Sequence, residues 1–575
     1  HTVAALPARR NTVAERGNQF DRTAAVSVPG KPWRNKPILL MLNVSPMNLR
    51  QTGEPTLAER VWQKNYPDGT PAEIDLAGHH SINQMFREAV DRFGSQVAFS
   101  SFGATLSYDD VDRLSRDFGA YLQSELGVKK GDRVAMMAPN TLAFAVGMFG
   151  VIRAGAIQVN VNPLYSPREL KHQLSDGDAD TIIIFSGSTP TLAEIIDGTP
   201  VQNVIVFGLD DLIGRGLPSP PADQRLSDTI DFSGALARGA ELELEEPVME
   251  LEDLLFLQYT GGTTGLSKGA MLTHGNLVGN ILQFQAMDPG MIEDGKEVVI
   301  TAIPMYHIFA LMVNTLYFFK RGAVNVLVTN PRDMESFVKT WAASKPTVFT
   351  GVNTLYNGLL HTPGFSDIDF SGLKFAMGGG APVQQAVSEK WKKVTGKYIK
   401  EGYGLSETSP VLTVNLLHET GYRAGIGVPV PSTDISLRND DGQEVSQGEP
   451  GELCCKGPQV MPGYWRRPDA TAESMTEDGY FKTGDIAVMD EEGFFHIVDR
   501  KKDMILVSGF NVFPNEIEEE AAAMPGVLES ACIGVPDEAS GEAVKLFVVK
   551  SDPSITSDAV RQFLRKNLVA YKVPK

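Results

Sequence analysis

From residue 78 onward the apolar positions alternate between helical and strand-like runs. Ile82, Met85, Phe86, Ala89, Val90 and Phe93 recur at helical spacing and predict an amphipathic helix. Leu106-Ser-Tyr108 reads as a strand end, and Asp109 to Leu126 as a second helix with Val111, Leu114, Phe118, Tyr121 and Leu122 on one face. Val134–Ala138 predicts a buried strand, residues 141–153 an apolar helix, and Ile157–Val161 another strand. Thr181–Phe185 and Val204–Phe207 continue the alternation. Strands that alternate with helices imply a mostly parallel sheet covered on both faces. The proline-rich Leu217–Ala222 is expected as a surface loop.

Past about residue 430 the pattern changes to shorter strands and turns: Asp434–Leu437, the turn Asn439–Gly442, Gly451–Lys456 and Phe494–Val498. A third unit follows, with a helix at 515–524, strands at 530–535 and 543–549, and a helix at 557–568. The expected fold class is therefore α/β. A large domain over residues 78–499 carries mostly parallel sheets and, from about 430, a β-rich subdomain; a small α+β domain over 500–575 follows it.

A chain of 575 residues is too long for one compact core, which agrees with at least two domains. Its net charge, 52 − 71 = −19, argues against nucleic acid or a broadly anionic membrane as a partner. Three cysteines, Cys454, Cys455 and Cys532, are too few for a disulfide framework and point to a reducing cytoplasm. No Cys/His cluster has zinc spacing. No apolar run approaches the roughly 20 residues of a membrane-spanning helix; Pro37–Leu42 is far too short. Peripheral contact with the inner membrane face and formation of a homodimer stay open.

Residues 1–77 form an arm before the regular pattern. Within it, residues 1–36 hold seven Lys/Arg against two Asp/Glu and show no apolar period, so residues 1–40 are expected to be disordered or non-native. Translation is expected to start at Met41 or Met47.

The densest chemistry lies in Tyr259-Thr-Gly-Gly-Thr-Thr-Gly-Leu-Ser-Lys268-Gly269. Gly261, Gly262 and Gly265 let backbone N–H groups approach a ligand, while Thr260, Thr263, Thr264, Ser267 and the Lys268 ammonium add donors. That set suits a polyphosphate. The apolar run Leu254–Leu257 before it reads as a buried strand, placing the loop at a strand end. It is not a Walker A loop, since Lys268 stands between Ser267 and Gly269. A flexible linker would account for the glycines and threonines but not for Lys268 or the apolar flanks.

Further segments carry polar groups at predicted strand ends. Pro304-Met-Tyr-His307 puts an imidazole after the strand Val298–Ile303, although such a histidine more often satisfies a carbonyl. In Met377-Gly-Gly-Gly-Ala-Pro382, glycines 378–380 would let a flat ring lie on bare backbone. We take Gly379, Gly380, Ala381 and Pro382, with Gly402, Tyr403, Gly404 and Ser406 of Glu401–Glu407, as a surface for such a ring, on which Tyr403 offers a stacking face. Glu407 is the hard oxygen ligand that Mg²⁺ prefers, unless it is a satisfied surface carboxylate. Asp478–Asp485 ends in a carboxylate able to accept from two ribose hydroxyls. Asp499-Arg-Lys-Lys-Asp503 reads by itself as a solvated charge run at a domain edge.

Together these segments resemble the signatures of the adenylate-forming superfamily over residues 78–575, and in Thr350–Tyr356, Glu401–Glu407 with Thr413–Asn415, and Asp478–Asp503 they are similar to its bacterial-type fatty-acyl-CoA synthetase branch. The resemblance implies an enzyme that joins a long-chain fatty acid to coenzyme A with ATP and Mg²⁺, through an acyl-adenylate. It assigns Thr260, Lys268 and Glu407 to catalysis, with Glu407 on Mg²⁺, and Asp485 and Arg500 to the ribose. His307, Gly351 and Val352 fall to the acyl site, Lys502 to the hinge and Gly509 to the pantetheine channel. Where the family has threonine before the glutamate, Ser406 keeps the hydroxyl. A carrier-protein acceptor, or a non-catalytic homologue that binds nucleotide or acyl ligand, remains an alternative.

The superfamily also uses a lysine in a Pro-Lys-(x)n-Gly-Lys stretch, which the residues ending at Tyr571–Lys575 do not contain. The expectation is that the intact gene product continues. The 575-residue chain would then adenylate slowly, while still passing a supplied acyl-adenylate to coenzyme A.

Overall fold

The computed structural model describes residues 60–260, 267–288, 290–508, 510–537 and 540–575. The basic arm through residue 40, its candidate start sites, Gly261–Gly265 and Gly509 lie outside the described residues.

Two large sheets organise the chain. The first has seven strands in the order Ile230–Asp231, Asn203–Phe207, Thr181–Phe185, Arg133–Met137, Ile157–Val161, Leu254–Thr260 and Lys268–Thr273. Its neighbours are parallel except for the last pair. The second has nine strands in the order Val428–Pro429, Val411–Val414, Ile399–Gly404, Phe375–Gly378, Val348–Gly351, Val298–Thr301, Val324–Leu327, Val97–Ser101 and Ala104–Ser107. It is parallel through its middle and antiparallel at both edges.

Burial on both faces explains the unbroken apolar runs of the parallel strands. In Thr181–Phe185, Ile183 packs into one core, while Ile182 and Ile184 point into another. Val299 and Ile300 divide in the same way. Helix Leu142–Arg153 is buried along its whole length and touches strands of both large sheets, so it is apolar all round. Thr141 caps it by accepting from the Phe144 N–H. Its last residue, Arg153, is only 2 % exposed; it pairs with Asp112 at 3.0 Å and Glu246 at 2.7 Å, with the guanidinium over the Phe86 ring. Arg153→Ala is expected to destabilise the chain by about 3 kcal/mol, because two carboxylates lose their buried partner. Thermal melting checks this, and an unchanged midpoint would count against it.

A third, antiparallel sheet joins Asp434–Arg438, Gly451–Lys456, Phe481–Met489 and Phe495–Arg500. A fourth joins Phe510–Val512, Ile505–Val507, Gly541–Lys550 and Val527–Asp537. Helices Pro514–Ala522 and Ser557–Leu564 supply Ile517, Ala521, Val560 and Leu564 to the core of this last sheet, which is separate from the others and starts at Ile505. Among the described residues, no helix is long and apolar enough to cross a membrane.

Candidate active site

Strand Leu254–Thr260 does not run from its loop into a helix. The chain turns back as the antiparallel strand Lys268–Thr273, with Thr260 opposite Lys268 at the neck of a hairpin. Helix Pro167–Gly177 grips both sides of that neck. Asp176 accepts from the Tyr259 hydroxyl at 2.8 Å, and His172 Nε2 lies 2.8 Å from the Ser267 carbonyl, to which it donates.

Ends of strands from both large sheets, and Asp485 and Arg500 of the third, line one cavity of about 600 Å³. It brings together Thr260, Lys268, His307, Gly379, Gly380, Gly402, Tyr403, Gly404, Ser406, Glu407, Asp485, Arg500 and Lys502. Ser267 lies just outside, at the hairpin neck. Gly351, Val352, Ala381 and Pro382 are not in its lining. Gly351 stands directly behind it, with its carbonyl accepting from the Gly379 N–H at 3.3 Å, and a Cβ on Gly380 would meet a Val352 methyl at 3.9 Å. Ala381 and Pro382 are exposed.

Close backbone packing requires glycine at Gly404 and leaves little room for a Cβ at Gly379. A Cβ on Gly404 would fall 1.7 Å from the Pro410 carbonyl oxygen, where the strand pairing shifts register. On Gly379 it would stand 3.1 Å from the Gly402 carbonyl and 3.2 Å from the Phe309 ring.

Two polar groups dominate the cavity. Glu407 is 7 % exposed and accepts from the Tyr464 hydroxyl at 2.8 Å. Burial raises its carboxyl above the ordinary value; hydrogen bonds from Tyr464 and Thr260 and the charge of Lys268 pull the other way. Lys268 in turn holds its ammonium 4.9 Å from the Tyr464 ring centroid. In the second group Asp485 accepts from the Tyr403 hydroxyl at 2.6 Å, with Arg500 Nε 3.7 Å from its other oxygen. Burial raises Asp485 as well, against that hydrogen bond and the Arg500 charge. Tyr403 thus presents its ring to the cavity while its hydroxyl occupies the carboxylate assigned to the ribose.

His307 is exposed, but towards the cavity, and the surrounding protein lowers its imidazole below the usual value. Its Nδ1 accepts from the Phe309 N–H at 3.3 Å, which leaves Nε2 as the protonated nitrogen of the neutral ring. Ile308, Phe309, Met377 and Val411 make the neighbouring lining apolar.

Sequence reading overlooked several lining residues. Asn160 and Gln258 face the cavity as members of a buried amide row: Gln158 donates to Asn160 at 2.7 Å, Asn160 to Gln258 at 3.0 Å, and Gln258 to the Tyr306 carbonyl at 3.0 Å. Amides inside apolar strands were the available signal. Tyr464 was also overlooked, although Pro462-Gly-Tyr-Trp-Arg-Arg467 combines a turn with two aromatics and two cations.

Comparison with known proteins shows the family. The sequence profile of the AMP-binding enzymes matches residues 86–465, and that of the AMP-binding enzyme C-terminal domain matches residues 516–575. The chain belongs to the AMP-binding enzyme family. Within it, the chain is 50% identical over 529 residues to the long-chain-fatty-acid–CoA ligase of Escherichia coli O157:H7, covering 90% of this chain and 94% of that relative. It is 36% identical over 535 residues to the long-chain-fatty-acid–CoA ligase of Bacillus subtilis (strain 168), with coverage of 90% and 94%. Among solved members, ATP-bound MatB from Rhodopseudomonas palustris superposes with a TM-score of 0.74 at 29% identity, over 86% of this chain and 94% of that one. A Mycobacterium tuberculosis fatty acyl CoA synthetase gives 0.65 at 27% identity, over 86% and 93%.

Proposed function

We propose that the chain activates a long-chain fatty acid with ATP and passes the acyl group to coenzyme A, releasing pyrophosphate and AMP. The observation that carries the chemistry is the single cavity in which Lys268 and Glu407 meet around Tyr464, beside the Tyr403–Asp485–Arg500 group and the bare backbone of Gly379 and Gly380. The class of acid and the thiol acceptor rest on the names of the relatives.

A carboxylate does not acylate a thiol directly, because its oxygen is a poor leaving group. In the proposed reaction the fatty-acid carboxylate attacks the α-phosphorus of ATP in line, and the bond to the β-phosphate oxygen breaks. The coenzyme A thiolate then attacks the acyl carbonyl, and AMP leaves with the former carboxylate oxygen. Neither step uses a side-chain nucleophile, so the protein contributes position and charge. Thr260 and Lys268, with the hairpin loop, hold the β- and γ-phosphates. Asp485 takes the ribose hydroxyls once Tyr403 turns to the base, with Arg500 beside it, and His307 faces the acyl carboxylate.

Among the described residues no cluster of three His, Cys, Asp or Glu could cage a metal ion. Mg²⁺ does not need one, since it binds through one or two carboxylates and substrate phosphates, and Glu407 fits as that carboxylate. Bound there, Mg²⁺ would neutralise charge on the leaving pyrophosphate. The small domain over 500–575 would turn about Lys502 between the half-reactions and bring Gly509 to the pantetheine arm.

A panel of acids assayed for coenzyme A-dependent AMP release tests the reading. Acid-dependent pyrophosphate exchange without coenzyme A-dependent AMP release would point to another acceptor; no exchange with any acid would remove the enzyme reading. Asp485→Asn is expected to raise KM for ATP about ten- to hundredfold, since hydrogen bonds to a charged group are worth roughly 1.5–3 kcal/mol. With 2′-deoxy-ATP the penalty should shrink, because one of those bonds is already missing. An equal penalty for both nucleotides would take Asp485 away from the ribose.

A further inference from the structure

Lys268 and Glu407 carry opposite charges and line the same cavity. Opposite charges this close attract each other, the more so because Glu407 is only 7 % exposed. Among the described residues Lys268 makes none. The Tyr464 ring lies 4.9 Å from its ammonium, and the Tyr464 hydroxyl donates to Glu407 Oε1 at 2.8 Å. We propose that Tyr464 is a positioning residue that keeps these two charges apart, the ring face holding Lys268 and the hydroxyl holding Glu407, so that both are free for the nucleotide. The proposal rests on the nucleotide reading of the cavity and adds to it the residue that keeps the cavity open.

The location of the ring does not depend on these two contacts. Tyr464 pairs with Ala270 as an isolated antiparallel bridge, and its N–H donates to the Thr471 hydroxyl at 2.9 Å. On either side, the Gly463 carbonyl accepts from Met271 N–H at 3.0 Å, and the Trp465 N–H donates to the Gly269 carbonyl at 2.8 Å. Trp465 Nε1 donates to the Asp176 carbonyl at 3.1 Å, Arg467 pairs with the Asp176 carboxylate, and Arg466 pairs with Asp178 at 2.8 Å. The segment is therefore fastened both to the strand that begins at Lys268 and to helix Pro167–Gly177, which grips both sides of the hairpin neck.

Chemistry favours this division. A cation over an aromatic face is held weakly, whereas a cation on phosphate oxygens makes short charge-assisted hydrogen bonds. Lys268 can therefore leave the ring for a phosphate at little cost. Leaving an ion pair with the buried Glu407 carboxylate would cost more.

Calorimetric ATP binding in EDTA, pyrophosphate exchange and thermal melting are measured for the chain, Tyr464→Phe, Tyr464→Leu and the double variant Tyr464→Leu/Glu407→Gln. Tyr464→Phe keeps the ring, so metal-free ATP affinity is expected to stay within about twofold, while exchange kcat falls about tenfold for one lost charge-assisted hydrogen bond. Tyr464→Leu is expected to weaken metal-free ATP binding about tenfold as well, because Lys268 is captured by Glu407. Adding Glu407→Gln removes the captor and should restore that affinity, though not the exchange rate. A purely structural role would give no such recovery. Parent-like values for both single variants, or an affinity loss that Glu407→Gln does not recover, would overturn the role of Tyr464 alone. An unsubstituted chain that does not bind ATP would overturn the nucleotide reading with it.

Discussion

Glu407→Ala is expected to slow acid-dependent pyrophosphate exchange some hundredfold or more, because charge stabilisation felt mainly in the transition state is worth roughly 3–4 kcal/mol. The prediction concerns kcat, since the proposed reaction gives this carboxylate no part in fatty-acid binding, which should hardly change. Truncation also strands the Tyr464 hydroxyl, which now donates to Glu407 at 2.8 Å in a site only 7 % exposed. Glu407→Gln separates the two effects. Its amide oxygen can still accept from Tyr464, whereas the negative charge is gone. If charge is what matters, the glutamine variant is nearly as slow as the alanine variant and melts like the parent. Near-normal exchange by either variant would remove Glu407 from the reaction.

The parts of the fold that were legible in the sequence are those whose burial is local. Thr181–Phe185 and Ile157–Val161 could be read to the residue, because each is covered on both faces and bounded by turn residues, Asp178–Asp180 and Ser186-Gly187 for the first, Gly155 and Asn162-Pro163 for the second. Helix Leu142–Arg153 was legible as apolar, but its place between two sheets was not, since a helix buried all round has no face to orient it. Neighbours within the nine-stranded sheet were also hidden. Val97–Ser101 pairs with Val324–Leu327, placing Phe99 beside Asn325 across a long stretch of chain that carries no local signal of the contact. The π-helical turn Ala310–Tyr317 is apolar but for Asn314 and Thr315, and no period in it distinguishes it from an ordinary helix.

The cavity shows the same division. Its glycines, hydroxyls and charges stand in short runs whose composition already points to a phosphate or a flat ring. Tyr464 and Gln258 act through partners far away in sequence, Glu407 and the Tyr306 carbonyl, so their local signals, an amide in an apolar strand and an aromatic turn, did not say what they touch. The hairpin at Thr260 and Lys268 lies between these cases. The strand before the loop was readable, but the antiparallel return that sets Lys268 opposite Thr260 depends on pairing that only the sheet reveals.

The largest effect of all should appear when the acid is lengthened. If the acyl chain lies on the apolar lining beyond His307, each buried methylene contributes roughly 0.8 kcal/mol, or about fourfold in affinity. The carboxylate is then held near His307 while the tail passes Ile308, Phe309, Met377 and Val411 toward the wall behind which Gly351 and Val352 stand. Such a rise compounds with every carbon and stops when the apolar space is full, so the length at which kcat/KM levels off measures the depth of the site. Replacing Met377 by a larger side chain should move that plateau to shorter acids without altering the slope before it, since the cost per methylene depends on water and not on the protein. A series from four to eighteen carbons, assayed by coenzyme A-dependent AMP release, checks both features. A best substrate of two to four carbons would contradict the long-chain reading, while a flat profile would place the tail in solvent.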